Sequence, residues 1–110
     1  MGRSQSQNQR LVTAYDIEIT TEAEQEISEA VQWYAAKDRQ TAEVFKTIVF
    51  ESIDIISHSP LSWAQVSADG IRRFVLPRYL YKLFFTVMAN TATILAVAHN
   101  RRTPDYWRKN

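Results

Sequence analysis

The sequence contains no cysteine, which excludes a disulfide framework and thiolate metal sites and is compatible with a reducing compartment. It has two glycines, Gly2 and Gly70, too few to build a glycine-rich loop that cradles phosphates. The two histidines, His58 and His99, have no partner at metal-ligand spacing, so no metal is expected, and nothing in the chain calls for a cofactor. No apolar run reaches the roughly 18 residues of a membrane span. The first residues lack the apolar core of a signal peptide, and the expectation is a cytoplasmic protein with no membrane association. Ser/His/Asp combinations exist on paper, but none has the strand–elbow–helix context of a nucleophile.

What is present is an ordinary globular composition, 45% hydrophobic and 23% charged, which argues against disorder of the whole chain. A length of 110 residues fits one domain with one modest core. The net charge of +1 conceals a strong polarity. Residues 14–69 carry 11 acidic and 3 basic side chains, whereas residues 70–110 carry 8 basic ones and a single acid, Asp105. An acidic helical surface and a basic surface suited to a polyanion or an acidic partner are one reading of this split. Mutual neutralisation within the fold is the other.

Residues 1–13, rich in Ser, Gln, Asn and Arg, read as a disordered extension, and residues 14–110 as the domain. Residues 14–19 alternate, with Tyr15, Ile17 and Ile19 opposite Asp16 and Glu18, the pattern of a half-buried strand. Thr21 and Glu24 then fit a capping box. Ala23, Ile27, Ala30, Val31 and Tyr34 fall on one helical face. The stripe changes phase near Asp38 and Arg39, predicting a short turn. A second helix over about 41–57 turns Ala42, Phe45, Ile48, Val49, Ser52, Ile55 and Ile56 inward, with Pro60 just past its end. So short a link predicts an antiparallel helical hairpin.

Beyond it the period changes from 3.6 to 2. Residues 71–76 alternate, with Arg72, Phe74 and Leu76 on one side and Ile71, Arg73 and Val75 on the other. In 80–88, Tyr81, Leu83, Phe85 and Val87 share a face, and 92–98 is a further run of strand formers. Asn90 is the expected positive-φ residue of the turn between them. Residues 62–66 read as a short extra strand or a loop. The whole is an α+β, two-layer domain: an N-terminal strand and an antiparallel helical hairpin packed on a twisted antiparallel sheet of about four strands.

Candidate chemistry concentrates in the last third. Arg72, Arg73, Arg78, Lys82, Arg101 and Arg102 offer cations for phosphates or carboxylates, and Trp107 an aromatic contact. His99 is a candidate acid or base, with Tyr106 assisting, or else a strand-end residue bonded to backbone or to an acid. Trp107 packs the C-terminal segment or stacks on a base, and Arg72 makes either an exposed contact or an internal pair with a helix carboxylate. The cluster Glu22, Glu24, Glu26 and Glu29 reads as a solvated helix face.

In order and spacing these segments resemble the ParE branch of the ParE/RelE toxin superfamily, the plasmid stabilization proteins. The strand at Tyr15, Ile17 and Ile19 with Ala30-Val31-Gln32-Trp33-Tyr34 looks like the family's opening strand and first helix. Ala42 and Phe45 match the start of its second helix, Ser59-Pro60 its end, and Gly70-Ile71-Arg72-Arg73-Phe74 its next strand. Leu80-Tyr81-Lys82-Leu83-Phe84-Phe85 follows, with Leu80 where the family has proline. The most specific stretch runs from Ile94-Leu95-Ala96-Val97-Ala98-His99 through Arg102 and Pro104 to Trp107.

The resemblance implies the RelE/ParE-like fold and the toxin role in a type II toxin–antitoxin system, with a cognate antitoxin as partner and DNA gyrase as target. A RelE-like ribosome-dependent mRNA interferase is the alternative, with the ribosome and mRNA as partners and Arg72, His99, Arg102 and Tyr106 as its candidate catalytic residues. An inactive antitoxin-binding domain is a second alternative. A homodimer and a hetero-oligomer with the antitoxin are both open. RelE-type nucleases carry basic residues just after the helices. Here residues 61–69 contain none, and Tyr106 stands seven positions after His99. The gyrase-directed, noncatalytic reading is therefore preferred.

Overall fold

The computed structural model describes residues 14–100. A strand, β1 (Asp16–Ile19), leads into two helices, α1 (Thr21–Ala35) and α2 (Arg39–His58). A 3-10 turn (Pro60–Ser62) precedes the strands β2 (Arg72–Val75), β3 (Tyr81–Met88) and β4 (Thr91–His99). The sheet order is β1-β4-β3-β2. The helical hairpin lies on one face, so the two-layer α+β expectation holds. One feature of the sheet differs: β1 runs parallel to β4, in register Ile17 with Ala92 and Ile19 with Ile94, and the sheet is mixed rather than wholly antiparallel. The helical hairpin carries the chain from β1 at one edge of the sheet to β2 at the other, and β2, β3 and β4 return antiparallel until β4 meets β1.

Both helices begin on side-chain caps. The cap of α1 is Thr20, one residue before the expected Thr21. Its hydroxyl accepts the Ala23 N–H at 3.0 Å and donates to the Leu95 carbonyl at 3.2 Å, so one side chain starts the helix and ties it to β4. Asp38 caps α2, accepting the Thr41 N–H at 3.1 Å and the Thr41 hydroxyl at 2.7 Å, and moves the helix start to Arg39. These bonds hold the Asp38 carboxyl below its usual range.

The core between helices and sheet is built from Ala23, Ile27 and Ala30 of α1, Phe45, Val49 and Ile56 of α2, and Phe74, Leu83, Phe85, Ile94 and Val97 of the sheet. Tyr81 and Val87 pack against it, as the alternation of β3 required. On α2 the inward face includes Ile53, while Ile55 is 46% exposed, contrary to the expected stripe. A smaller cluster of Ile71, Phe84, Ala96 and Ala98 occupies the opposite face of the sheet.

Two backbone details set the geometry of β4. Phe84 pairs with Ala96 and Phe85 with Ile94, leaving Leu95 as the extra residue of a bulge. The bulge lets Ile94 and Val97, three apart, both face the helices. The hairpin turn between β3 and β4 places Ala89, at φ 53°, in the left-handed region instead of the expected Asn90. Asn90 is held by its carbonyl, which accepts the Asp16 N–H of β1 at 2.9 Å. Gly70, at φ 92°, supplies a further left-handed position before β2, a conformation that disfavours any side chain. Residues 62–66 form no full strand; Gln65 makes a single bridge to Arg72.

Candidate functional site

The sheet divides the basic residues that the sequence groups together. Arg72 points to the helix side, where its guanidinium donates to the Trp63 carbonyl at 2.7 Å, the Leu61 carbonyl at 3.4 Å and the Gln65 amide oxygen at 3.5 Å. Its partners are thus the acceptors of the segment after α2, not a helix carboxylate. Trp63 in turn packs edge-on against Phe74 at 4.6 Å. Arg72 is a clamp on its own chain. Arg73, one residue on, is exposed on the opposite face. Lys82 is its diagonal neighbour there, donating to the Asn100 carbonyl at 3.2 Å with its ammonium 5.7 Å from the Phe84 ring. Arg78 is exposed in the loop between β2 and β3, in a left-handed conformation at φ 75°. Arg101, Arg102, Tyr106 and Trp107 lie outside the described residues.

His99 belongs to a different surface. It ends β4 on the helix side and sits edge-on to Tyr81 at 5.4 Å, on the wall of a cleft of about 540 Å³. The cleft opens between α1, which contributes Glu26, Glu29, Trp33 and Tyr34, and the start of β3 with the end of β4. Its floor is an aromatic cluster in which Tyr34 and Tyr81 each contact Phe45, at 5.0 and 5.2 Å. Tyr79 closes that cluster, its hydroxyl donating to the Thr41 carbonyl at 3.2 Å. Burial, with Tyr81 and Tyr79 adding to it, pushes the Tyr34 phenol above its usual value, so it stays a neutral donor at physiological pH. The rim is apolar and open: Trp33 is 56% exposed and Leu80 63%. Lys37 lies 4.5 Å over the Trp33 ring.

Glu26 changes its meaning in this setting. One carboxylate oxygen accepts the Val97 N–H of β4 at 2.8 Å, so Glu26 is part of the structure and not only of a solvated acidic face. Glu26 and Glu29 together give the α1 wall of the cleft negative charge. The alternating run of glutamates hid this role. A sequence signal did exist in Trp33, a large aromatic beside Tyr34 but off the apolar stripe, the kind of residue that anchors a docked chain.

A helical hairpin laid over a four-stranded mixed sheet, with β1 slotted parallel beside β4, defines this chain as an α+β domain of the ParE-like fold. Among solved structures it is similar to one described as the chromosomal ParDE TA system from P. aeruginosa, with a TM-score of 0.70 at 16% identity. The match covers 78% of this chain and 96% of that one, and at such identity the likeness is one of fold. No protein-family model and no curated protein matches the sequence.

Proposed function

We propose that this chain is the toxin of a type II toxin–antitoxin pair in the cytoplasm, that it acts by binding and poisoning DNA gyrase, and that a cognate antitoxin neutralises it. The observation that carries the reading is the fold match, over 78% of this chain, to a ParDE toxin–antitoxin structure. The cleft supports a protein partner. An exposed Trp33 and Leu80 over an aromatic floor suit the apolar anchors of a docked segment. Binding, as opposed to cutting, is supported by the placement of Arg72 and His99, the two candidate nuclease residues among the described ones. Arg72 is engaged with three acceptors of its own chain, and His99 faces a cleft walled by two glutamates that would repel a phosphate backbone.

The contact surface proposed for gyrase is the basic one, Arg73 and Lys82 on the outer face of the sheet with Arg78 and the segment 101–110. The test is a supercoiling assay with purified gyrase. The full chain inhibits, its antitoxin relieves the inhibition, and removal of residues 101–110 weakens it without lowering the unfolding midpoint. Charge reversal at Arg102 weakens toxicity or antitoxin binding. Intact gyrase activity together with cleavage of ribosome-bound mRNA would replace this reading by the interferase. Antitoxin binding with neither activity would leave only the antitoxin-binding domain.

A further inference from the structure

The outer face of α2 is turned away from the core, yet Phe50 on it is 49% exposed and Ile55 46%. These two line a shallow groove with Lys46, Thr47, Glu51 and Asp54. An unpartnered apolar strip on a helix has many conceivable occupants, but the charges along this one have a symmetry that favours one of them. The cation Lys46 stands four residues before Phe50, and the acid Asp54 four residues after it. At 3.6 residues per turn, positions four before and four after lie one turn either side of Phe50 on nearly the same face. Read backwards about Phe50, Lys46 and Asp54 exchange places, so this pair of charges is complementary to itself.

We propose that the outer face of α2 is a self-association surface, through which two copies pair antiparallel about a two-fold axis at Phe50. In that arrangement the two Phe50 rings meet at the centre. Lys46 of each copy faces Asp54 of the other, so one charge pair is made twice, as an isologous contact requires. Thr47, Glu51 and Ile55 line the edges of the groove beside this central contact. Asp54 can reach a partner: its side chain is 74% exposed, and the His58 imidazole one turn on lies at 3.9 Å, a long contact that leaves the outward side of the carboxylate open. A contact between single helices buries less than the roughly 1,200 Å² of a standard interface, so the dimer is weak and concentration-dependent. The cleft beside α1 and the basic face of the sheet stay open in it, and the proposal does not depend on the target of the toxin.

Sedimentation equilibrium of the full chain over a wide concentration range tests it, with urea midpoints as the control for folding. Because the residues are exposed, their variants retain the parent midpoint. Phe50→Asp abolishes association. Lys46→Asp alone and Asp54→Lys alone each raise the dissociation constant at least about tenfold, since each sets two like-charge contacts at the interface. The double variant Lys46→Asp/Asp54→Lys restores it to within about threefold of the parent, because the swapped pair has the same symmetry. A chain that stays monomeric throughout overturns the proposal. So does a double variant no better than the singles, or a Phe50→Asp variant that loses antitoxin binding while the parent shows no self-association.

Discussion

The carboxylate of Glu26 on α1 accepts the backbone N–H of Val97 on β4 across 71 positions of sequence. The contact falls just where β4 loses its neighbour. Strand β1 pairs with it only as far as Ile94, after which the chain turns at Thr20 into α1. The helix then serves as the edge partner that the strand lacks, with Thr20 taking up the Leu95 carbonyl and Glu26 the Val97 amide. Buried or half-buried backbone groups need such partners.

Removing that acceptor exposes its worth. Glu26→Ala leaves a partly buried N–H unmatched and lowers stability by about 1–3 kcal/mol. Glu26→Gln keeps a carbonyl oxygen at the same reach and loses less than half as much. Urea unfolding measures both, and equal losses in the two variants would show that the hydrogen bond is not what Glu26 contributes.

Arg72 and Arg73 are neighbours in sequence with opposite duties. Arg72→Ala frees acceptors of residues 61–65 and lowers stability by about 1–3 kcal/mol. Arg72→Lys recovers only part of this, since an ammonium cannot reproduce the planar fork. Arg73→Ala, on the exposed face, changes stability by less than about 0.5 kcal/mol. If instead Arg73→Ala unfolds the domain and Arg72→Ala does not, the assignment of the two is reversed.

The left-handed positions predict substitutions of opposite sign. Ala89→Gly relieves an unfavourable φ in the β3–β4 turn and stabilises by up to about 1 kcal/mol, after the entropy cost of glycine is subtracted. Gly70→Ala places a side chain at φ 92° with open space around it, so its loss of roughly 1–2 kcal/mol is conformational and not a clash. Thermal melting reads both, at about 4–8 °C per kcal/mol for a domain of this size. Destabilisation by Ala89→Gly would count against a left-handed Ala89.

Asp38 gives the fold an acid-sensitive joint. Its carboxyl is held below the ordinary value by the Thr41 hydroxyl and amide. A depressed folded-state value means that the contribution is complete above the unfolded carboxylate range and is lost as pH falls through the folded value. Asp38→Asn keeps a capping oxygen but cannot titrate, so its urea midpoint falls less steeply between pH 5 and pH 3, roughly the range in which carboxylates protonate. Parallel curves for parent and variant would remove Asp38 from the acid response.

Much of this was legible in periodicity alone. The inward face of Tyr81, Leu83, Phe85 and Val87 and the helical stripe from Ala23 to Tyr34 follow from repeats of 2 and 3.6 residues. Periodicity carries no strand direction, so the parallel pairing of β1 with β4 was not visible. Nor was the bulge at Leu95, because the run around it is apolar on both faces. Thr20 and Thr21 are both capable caps, and only the reach to Leu95 distinguishes them. Ile53 and Ile55 are chemically alike, and a small difference in helix rotation decided between them. The candidate site was the least legible part. Arg72 and Arg73 look equivalent in sequence until the pleat separates them, and Glu26 meets His99's strand only through the packing of α1 on the sheet.

The parallel pairing of β1 with β4 also bears on how the protein is made. β1 emerges from the ribosome before every other element described, and its sheet neighbour, β4, emerges after them all. Until residues 91–99 are synthesised, β1 has nothing to pair with and β3 lacks one of its two flanking strands. The sheet therefore closes only once β4 has been made, not progressively, and its most distant contacts form last. A nascent chain halted before that point leaves apolar strands uncovered for proteases and chaperones. Only a copy translated through β4 can hold the shape on which its proposed harm depends.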